Sequence, residues 1–215
     1  MELSILVPII GLMQAVITGD IINSRNSSTK ETLKDLKSVL QVYGKSPRDW
    51  EIYRGDSFQL LVAAPADSLD VAMKIKAMLK TVQDRDGRMS IGIGEVSYRA
   101  SAITESNGDA FVRSGNRFDQ LQTAKTNLAI ESPWSDFDDE MNVCFQLALI
   151  AMDGWSQASA EFMVSQLADE DQSQQALAEK LGIGQSSVSE RKKRAHYDEL
   201  LQLRQRFKKR VEEYL

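Results

Sequence analysis

The chain has 215 residues, 42% apolar and 27% charged, with a formal net charge of −5. This composition belongs to a folded globular protein and excludes disordered and collagen-like classes, while the length allows a sheet domain of about 130 residues and a smaller helical one. A single cysteine, Cys144, and a single histidine, His196, exclude an intrachain disulfide, a cysteine-based metal cage and a histidine-based triad. Cys144 is expected in the core, and His196 to cap or decorate a helix near a basic run; neither is a catalytic candidate. The charge is unevenly spread: residues 171–215 hold 10 Lys and Arg against 7 Asp and Glu, and residues 1–170 hold 16 against 24. An acidic body with a basic end fits a protein that meets nucleic acid through one part only.

From Leu3 to Thr18 the chain is apolar, yet Pro8, Gly11 and Gln14 interrupt the run. It is too short to span a bilayer comfortably, and no basic segment precedes it. No membrane association and a cytoplasmic location are expected, and residues 1–12 read as an N-terminal extension that follows from an upstream start codon. Ala15 to Ile22 is a buried strand, followed by a polar loop and a helix from Thr29 to Tyr43 with Leu33, Leu36, Val39 and Leu40 as its apolar stripe. Asp49 to Arg54 and Ser57 to Ala63 flank Gly55-Asp56 as a hairpin. A helix from Ser68 to Gln83 buries Val71, Ala72, Ile75, Met78 and Leu79, and turns Lys74 and Lys76 to its polar face. Arg88 to Tyr98 is a strand, and Ala110 to Asn127 a further helix. Gly92 and Gly94 lack the strand-to-helix context of a phosphate-cradling loop and let a helix approach the sheet closely. The order β-α-β-β-α-β-α over residues 13–128 reads as a ferredoxin-like sandwich.

Two carboxylates stand at chemically informative places, Asp20 near the end of the first strand and Asp56 on the hairpin beside it. Adjacent strands lie about 4.8 Å apart, so the two can share a divalent cation; hard oxygen ligands suit Mg²⁺ or Mn²⁺ bound with substrate phosphates. A second reading stands beside this one, in which Asp20 caps the following loop and Asp56 makes the turn with Gly55. Ser24 and Arg25, after the first strand, are candidates for phosphate contact.

The segments Gly19-Asp-Ile-Ile22, Tyr53-Arg-Gly-Asp-Ser-Phe58 and Met89-Ser-Ile-Gly-Ile-Gly94 resemble the three core strands of nucleotidyl cyclases, both the class III enzymes and the diguanylate cyclases. The resemblance implies that Asp20 and Asp56 are metal ligands, and that Arg54 and Ser57, beside Asp56 on the hairpin, lie at a purine nucleotide. Class III cyclases also place an Asn and, four residues on, an Arg in the helix after a Gly-Asp pair. Here that helix begins at Gly108-Asp109, the matching positions are Val112 and Asn116, and Arg113 and Arg117, one residue off, are the phosphate-clamping candidates. Ser57 stands where diguanylate cyclases carry a second glycine and an acidic residue. More narrowly, the Ile17-Thr-Gly-Asp-Ile-Ile-Asn-Ser-Arg25 opening, the Arg54-Gly-Asp-Ser-Phe58 hairpin and the C-terminal segment described next resemble the SatD family of bacterial proteins.

Residues 129–140, with Pro133 and the acidic run to Glu140, read as a linker. Residues 141–152 and 155–168 are two helices split at Asp153-Gly154, and Ala195 to Leu215 is a long amphipathic helix. Between them, residues 174–193 resemble a helix-turn-helix: Leu177, Ala178 and Leu181 run into Gly182, which takes the left-handed conformation of a tight turn, and Ile183 and Val188 seat the second helix. Gln185, Ser186, Ser189 and Glu190 would face base edges of double-stranded DNA, and Arg191, Lys192, Lys193 and Arg194 the phosphates. Arg191 falls where such helices carry an apolar side chain, so its stem is expected along the core edge with its guanidinium reaching solvent.

The expected fold class is α+β: a ferredoxin-like, nucleotidyl-cyclase-like sandwich followed by an all-α helix-turn-helix domain over residues 141–215. The expected protein is a homodimeric DNA-binding regulator with a nucleotide- and Mg²⁺- or Mn²⁺-binding sensor domain. The alternative is a two-metal nucleotidyl cyclase or nucleotidyltransferase with a regulatory helical domain.

Overall fold

The computed structural model of the chain describes residues 13–23 and 29–215. The extension at 1–12 and the phosphate candidates Ser24 and Arg25 lie outside the described residues. Five strands form one sheet in the order β2-β3-β1-β4-β5: β1 (Met13–Ile22), β2 (Trp50–Tyr53), β3 (Ser57–Val62), β4 (Asp86–Glu95) and β5 (Leu128–Glu131). β4 and β5 run parallel, and the other pairs are antiparallel. Three helices belong to this part, α1 (Thr29–Leu40), α2 (Ser68–Lys80) and α3 (Asp109–Ala124).

Strand alternation divides the sheet residues between two faces. Ala15, Ile17 and Ile21 of β1, with Phe58, Leu60, Met89, Ile91 and Ile130, join the main core beneath α1 and α2. Val16 and Leu61 point the other way and meet Ala110 and Phe111 of α3, with Ile103, in a small second core. The two strand glycines set how near α3 comes. A Cβ on Gly92 would lie 2.3 Å from the Ala110 carbonyl oxygen, and one on Gly94 2.7 Å from the Ala110 nitrogen. Side chains there would lift the helix off the sheet.

Five further helices follow, α4 (Ser135–Met152), α5 (Gln157–Ala168), α6 (Gln174–Leu181), α7 (Gln185–Arg194) and α8 (Tyr197–Glu212). Ser156 caps α5 by accepting from the Ser159 N–H, and Ser173 caps α6 by accepting from the Ala176 N–H. These helices share one continuous core with the sheet, through Phe137, Phe145, Met152, Trp155, Phe162 and Phe207.

Residues 129–140 differ from the expected linker. Leu128, Ala129 and Ile130 are buried in β5, and the acidic run opens α4, where Asp136 and Asp138 meet the positive end of the helix dipole and Phe137 and Met141 enter the core. Cys144 is half-buried rather than inside. His196 takes the left-handed conformation that starts α8.

Lys76 is corrected most. Instead of lying on a polar helix face it is fully buried, and its ammonium bonds Asp86 at the start of β4 (2.5 Å) and Asp153 in the turn between α4 and α5 (2.6 Å). A buried ammonium without partners is not tolerated, so two elements had to supply carboxylates. Truncation should therefore strand two acids: Lys76→Ala is expected to lower unfolding stability by about 3 kcal/mol in urea titration. Lys76→Met, which refills the volume, should lose less.

Candidate functional site

The face of the sheet covered by α3 carries a polar row. Asp20 lies in β1 opposite Ser57 of β3 and opposite Arg88 of β4. Arg88 grips the Asp20 carboxylate with two nitrogens, Nη2 to Oδ2 at 2.5 Å and Nε to Oδ1 at 3.3 Å, and its guanidinium lies over the Phe118 ring of α3, 5.6 Å from the centroid. This two-point geometry matches a planar guanidinium to a planar carboxylate. Deeper along the row Thr18 Oγ1 lies 3.0 Å from Ser114 Oγ, Gln59 donates to Thr18 at 3.4 Å, and Ser90 donates to the Ser114 carbonyl at 2.6 Å. The buried hydroxyls are thus satisfied by one another and by main-chain carbonyls.

The hairpin brings Asp56 alongside. The Ile21 N–H donates to the Asp56 carbonyl oxygen at 3.2 Å, so Asp56, the last residue of the turn before β3, lies one residue out of register with Asp20, whose own partner is Ser57. Arg54 and Gly55 make the turn with positive φ, and the Arg54 side chain is exposed. Burial raises the phenol pKa of Tyr53; Arg54 opposes this, and Asp119 and Asp20 add to it. Tyr53, Asp119 and Arg54 are therefore electrostatic neighbours of the same corner.

Arg113 and Arg117 are not brought into it. Arg113 donates to the Ser132 carbonyl at 2.8 Å, just after β5, and pairs with Asp109. Arg117, one helical turn on, occupies the same flank of α3 and donates to Gln120. Ser114 and Phe118 are the α3 residues that face Asp20's row. Sequence reasoning missed Arg88 and Phe118. The usable signal was an arginine two residues before Ser90 in an alternating strand, on the face that also carries Asp20.

In the second region, Gly182 is left-handed (φ 65°) and turns α6 into α7. Val188, Leu177 and Ala178 are buried where the two helices meet. Gln185, Ser186, Ser189 and Glu190 are exposed, and Ser189 donates weakly to Gln174 at 3.5 Å. The basic run is less free than its composition implies. Arg191 bonds Glu161 of α5 at 2.8 Å, Lys192 bonds Asp198 at 2.8 Å and lies over the Tyr197 ring, and Arg194 pairs with Glu190. Lys193 is exposed. Its neighbours' charges are largely balanced within the helical bundle.

The Asp20–Arg88 pair has a direct test. Asp20→Asn and Arg88→Met should each destabilise the fold, and the double variant should lose less than their sum, with a coupling of about 1–2 kcal/mol in a urea double-mutant cycle. Additive losses would show that the pair contributes nothing.

A search of curated proteins finds no match. The family model described as the SatD family matches residues 10–211, which takes in the sheet with its polar row and the helices to α8, and the chain therefore belongs to the SatD family.

Proposed function

We propose that the chain is a DNA-binding regulatory protein whose sheet domain, read as a ferredoxin-like and nucleotidyl-cyclase-like sandwich, binds a purine nucleotide and passes that state to the helices. The observation that carries the DNA reading is the exposed row Gln185, Ser186, Ser189 and Glu190 on α7, presented beyond a left-handed Gly182 turn while Val188 anchors the helix from behind. A helix held this way can enter a major groove with amide and hydroxyl groups at base edges. Of the basic run, Lys193 and Arg194 are the residues placed to meet phosphates. Arg191 and Lys192 brace α7 against α5 and α8.

The test is selection of duplexes from a random pool by the full chain, followed by titration at several salt concentrations. Lys193→Ala should weaken binding on all duplexes alike and flatten the salt dependence by about one phosphate contact, and Gln185→Ala should relax preference at one base position. Arg191→Ala should act mainly on stability. Failure of any duplex to enrich would remove the DNA reading.

For the sheet domain, the donor set fits Mg²⁺ or Mn²⁺ conditionally. Asp20 on β1 and Asp56 in the turn before β3 supply the two carboxylates, offset by one residue in register, and Arg88 already pairs with Asp20. Asp20 can serve a cation only when Arg88 turns to another anion, and a nucleotide phosphate is such an anion. Nucleotide and cation should therefore bind cooperatively: Mn²⁺ alone weakly, Mn²⁺ with ATP or GTP more tightly, measured by calorimetry. Arg88→Ala should strengthen binding of the cation alone and weaken that of the nucleotide. The closeness of the Asp56 turn to the end of β1 also supports the enzyme reading, in which Asp20 and Asp56 would serve nucleotidyl transfer. Incubation with labelled ATP and GTP in Mg²⁺ or Mn²⁺, beside Asp20→Asn, separates the two. A product absent from the variant would make the chain an enzyme.

A further inference from the structure

We propose that the outer face of α4, with the groove between α4 and α8, is a two-fold interface with a second copy of this chain, the two α4 helices packing antiparallel. The inference is independent of any ligand or DNA. Val143, Leu147 and Ile150 are 57%, 64% and 78% exposed, and their spacing puts all three on one side of the helix. Single apolar residues at a surface are ordinary, whereas a contiguous ridge of large aliphatic side chains marks an interaction surface.

Beside the ridge runs a groove of about 410 Å³, whose floor includes Cys144, Ala148 and Ala151 from α4 and Leu200 and Leu203 from α8. The small residues leave room for protruding ones. Leu147 and Ile150 of the ridge form one wall of this groove, so a single face carries both a protrusion and a hollow, which is the condition for a self-complementary, isologous contact.

Charge selects the occupant and its direction. At the N-terminal end of the same α4 face Asp136 and Asp139 are exposed. At the other end Lys125 shares a cleft with Gln146, Ile150 and Asp153, and Asp153 is already neutralised by Lys76 and bonded by Asn127. Antiparallel packing sets the acids of each copy beside Lys125 of the other, twice over, whereas parallel packing would face acid with acid. From Asp136 to Ile150 the ridge is about 21 Å long, and with α8 beside it the face offers roughly 400 Å² per copy. Standard interfaces bury about 800 Å² per partner, so the dimer should be weak and concentration-dependent.

Sedimentation of the full chain across the micromolar range should show a monomer passing to a dimer. Leu147→Arg and Ile150→Glu replace exposed side chains, so melting should stay unchanged while the dissociation constant rises by at least about tenfold. Lys125→Glu should weaken the dimer, and Lys125→Glu combined with Asp139→Lys should restore it. A chain that stays monomeric throughout, or a dimer indifferent to both apolar substitutions, would overturn the proposal. A charge swap that fails to restore association would overturn the antiparallel arrangement.

Discussion

A single buried ammonium fixes how the two halves of this protein meet. Lys76 arises from the middle of α2 and is shut off from water, where an ammonium is costly without carboxylates in reach. Asp86 comes from the first residue of β4, and Asp153 from the turn between α4 and α5. Separating the helices from the sheet would leave the ammonium half-satisfied, so the docking is specified and not merely hydrophobic. Neighbouring bonds repeat the constraint: Lys80 donates to the Asp153 carbonyl at 2.6 Å, Gln157 to the Thr81 carbonyl at 3.0 Å, and Asn127 to the Asp153 carboxylate at 3.0 Å. With Met152 and Trp155 in the common core, charge and apolar burial act at the same junction.

The two faces of the sheet consequently have different fates. One is covered by α1, α2 and the docked helical bundle, and it is apolar throughout. The other is covered by α3, drawn down tightly over β4 by the missing side chains of Gly92 and Gly94, and by the short turn that carries Ile103. The polar groups gather where the cover of α3 ends. Thr18, Ser90 and Ser114 satisfy one another beneath the helix, while Asp20, Ser57 and Tyr53 lie toward its margin. Asp20 is held there by Arg88, whose guanidinium lies over Phe118, so the charge at the margin is paired and not left free.

Much of this was legible in the sequence, because its determinants are local. The strand at Ala15 to Ile22, the stripe of the first helix, the hairpin at Gly55 and the left-handed turn at Gly182 are each set by residues within a few positions. Arg191 was legible in part: its guanidinium, expected in solvent, instead meets Glu161 and the Ala158 carbonyl of α5. What escaped depends on partners far away in the chain. β5 is only four residues long, too short for a periodic signal, and becomes a strand because β4 lies beside it. Lys76 is one position from Ile75 and three from Leu79, so the helix pattern alone left it on a boundary; only the distant Asp153 decides that it turns inward. Arg88 was passed over because the strand was read for its apolar members, although the same alternation puts Arg88 and Asp20 on one face.

The proposed regulation has a physical route through these same contacts. Arg88 lies two residues after Asp86 on β4, so a ligand that draws Arg88 from Asp20 acts on the strand whose first residue holds Lys76. Lys76 also holds Asp153. Two residues beyond Asp153, the Trp155 indole donates to the Ala195 carbonyl at 3.0 Å, at the residue that closes α7. A ligand shifts an equilibrium only by its difference in affinity for two arrangements, and the exchange at Asp20 supplies such a difference, since Arg88 cannot grip the carboxylate and a phosphate with the same two nitrogens. The route combines directional bonds with steps of two residues along the chain; Lys76 and the Trp155 indole bond are buried, and Arg88–Asp20 and Asp153 are partly open to solvent. Under the proposed regulation a displacement of β4 would pass through Lys76 to Asp153, and the Trp155–Ala195 bond is the link to the end of α7.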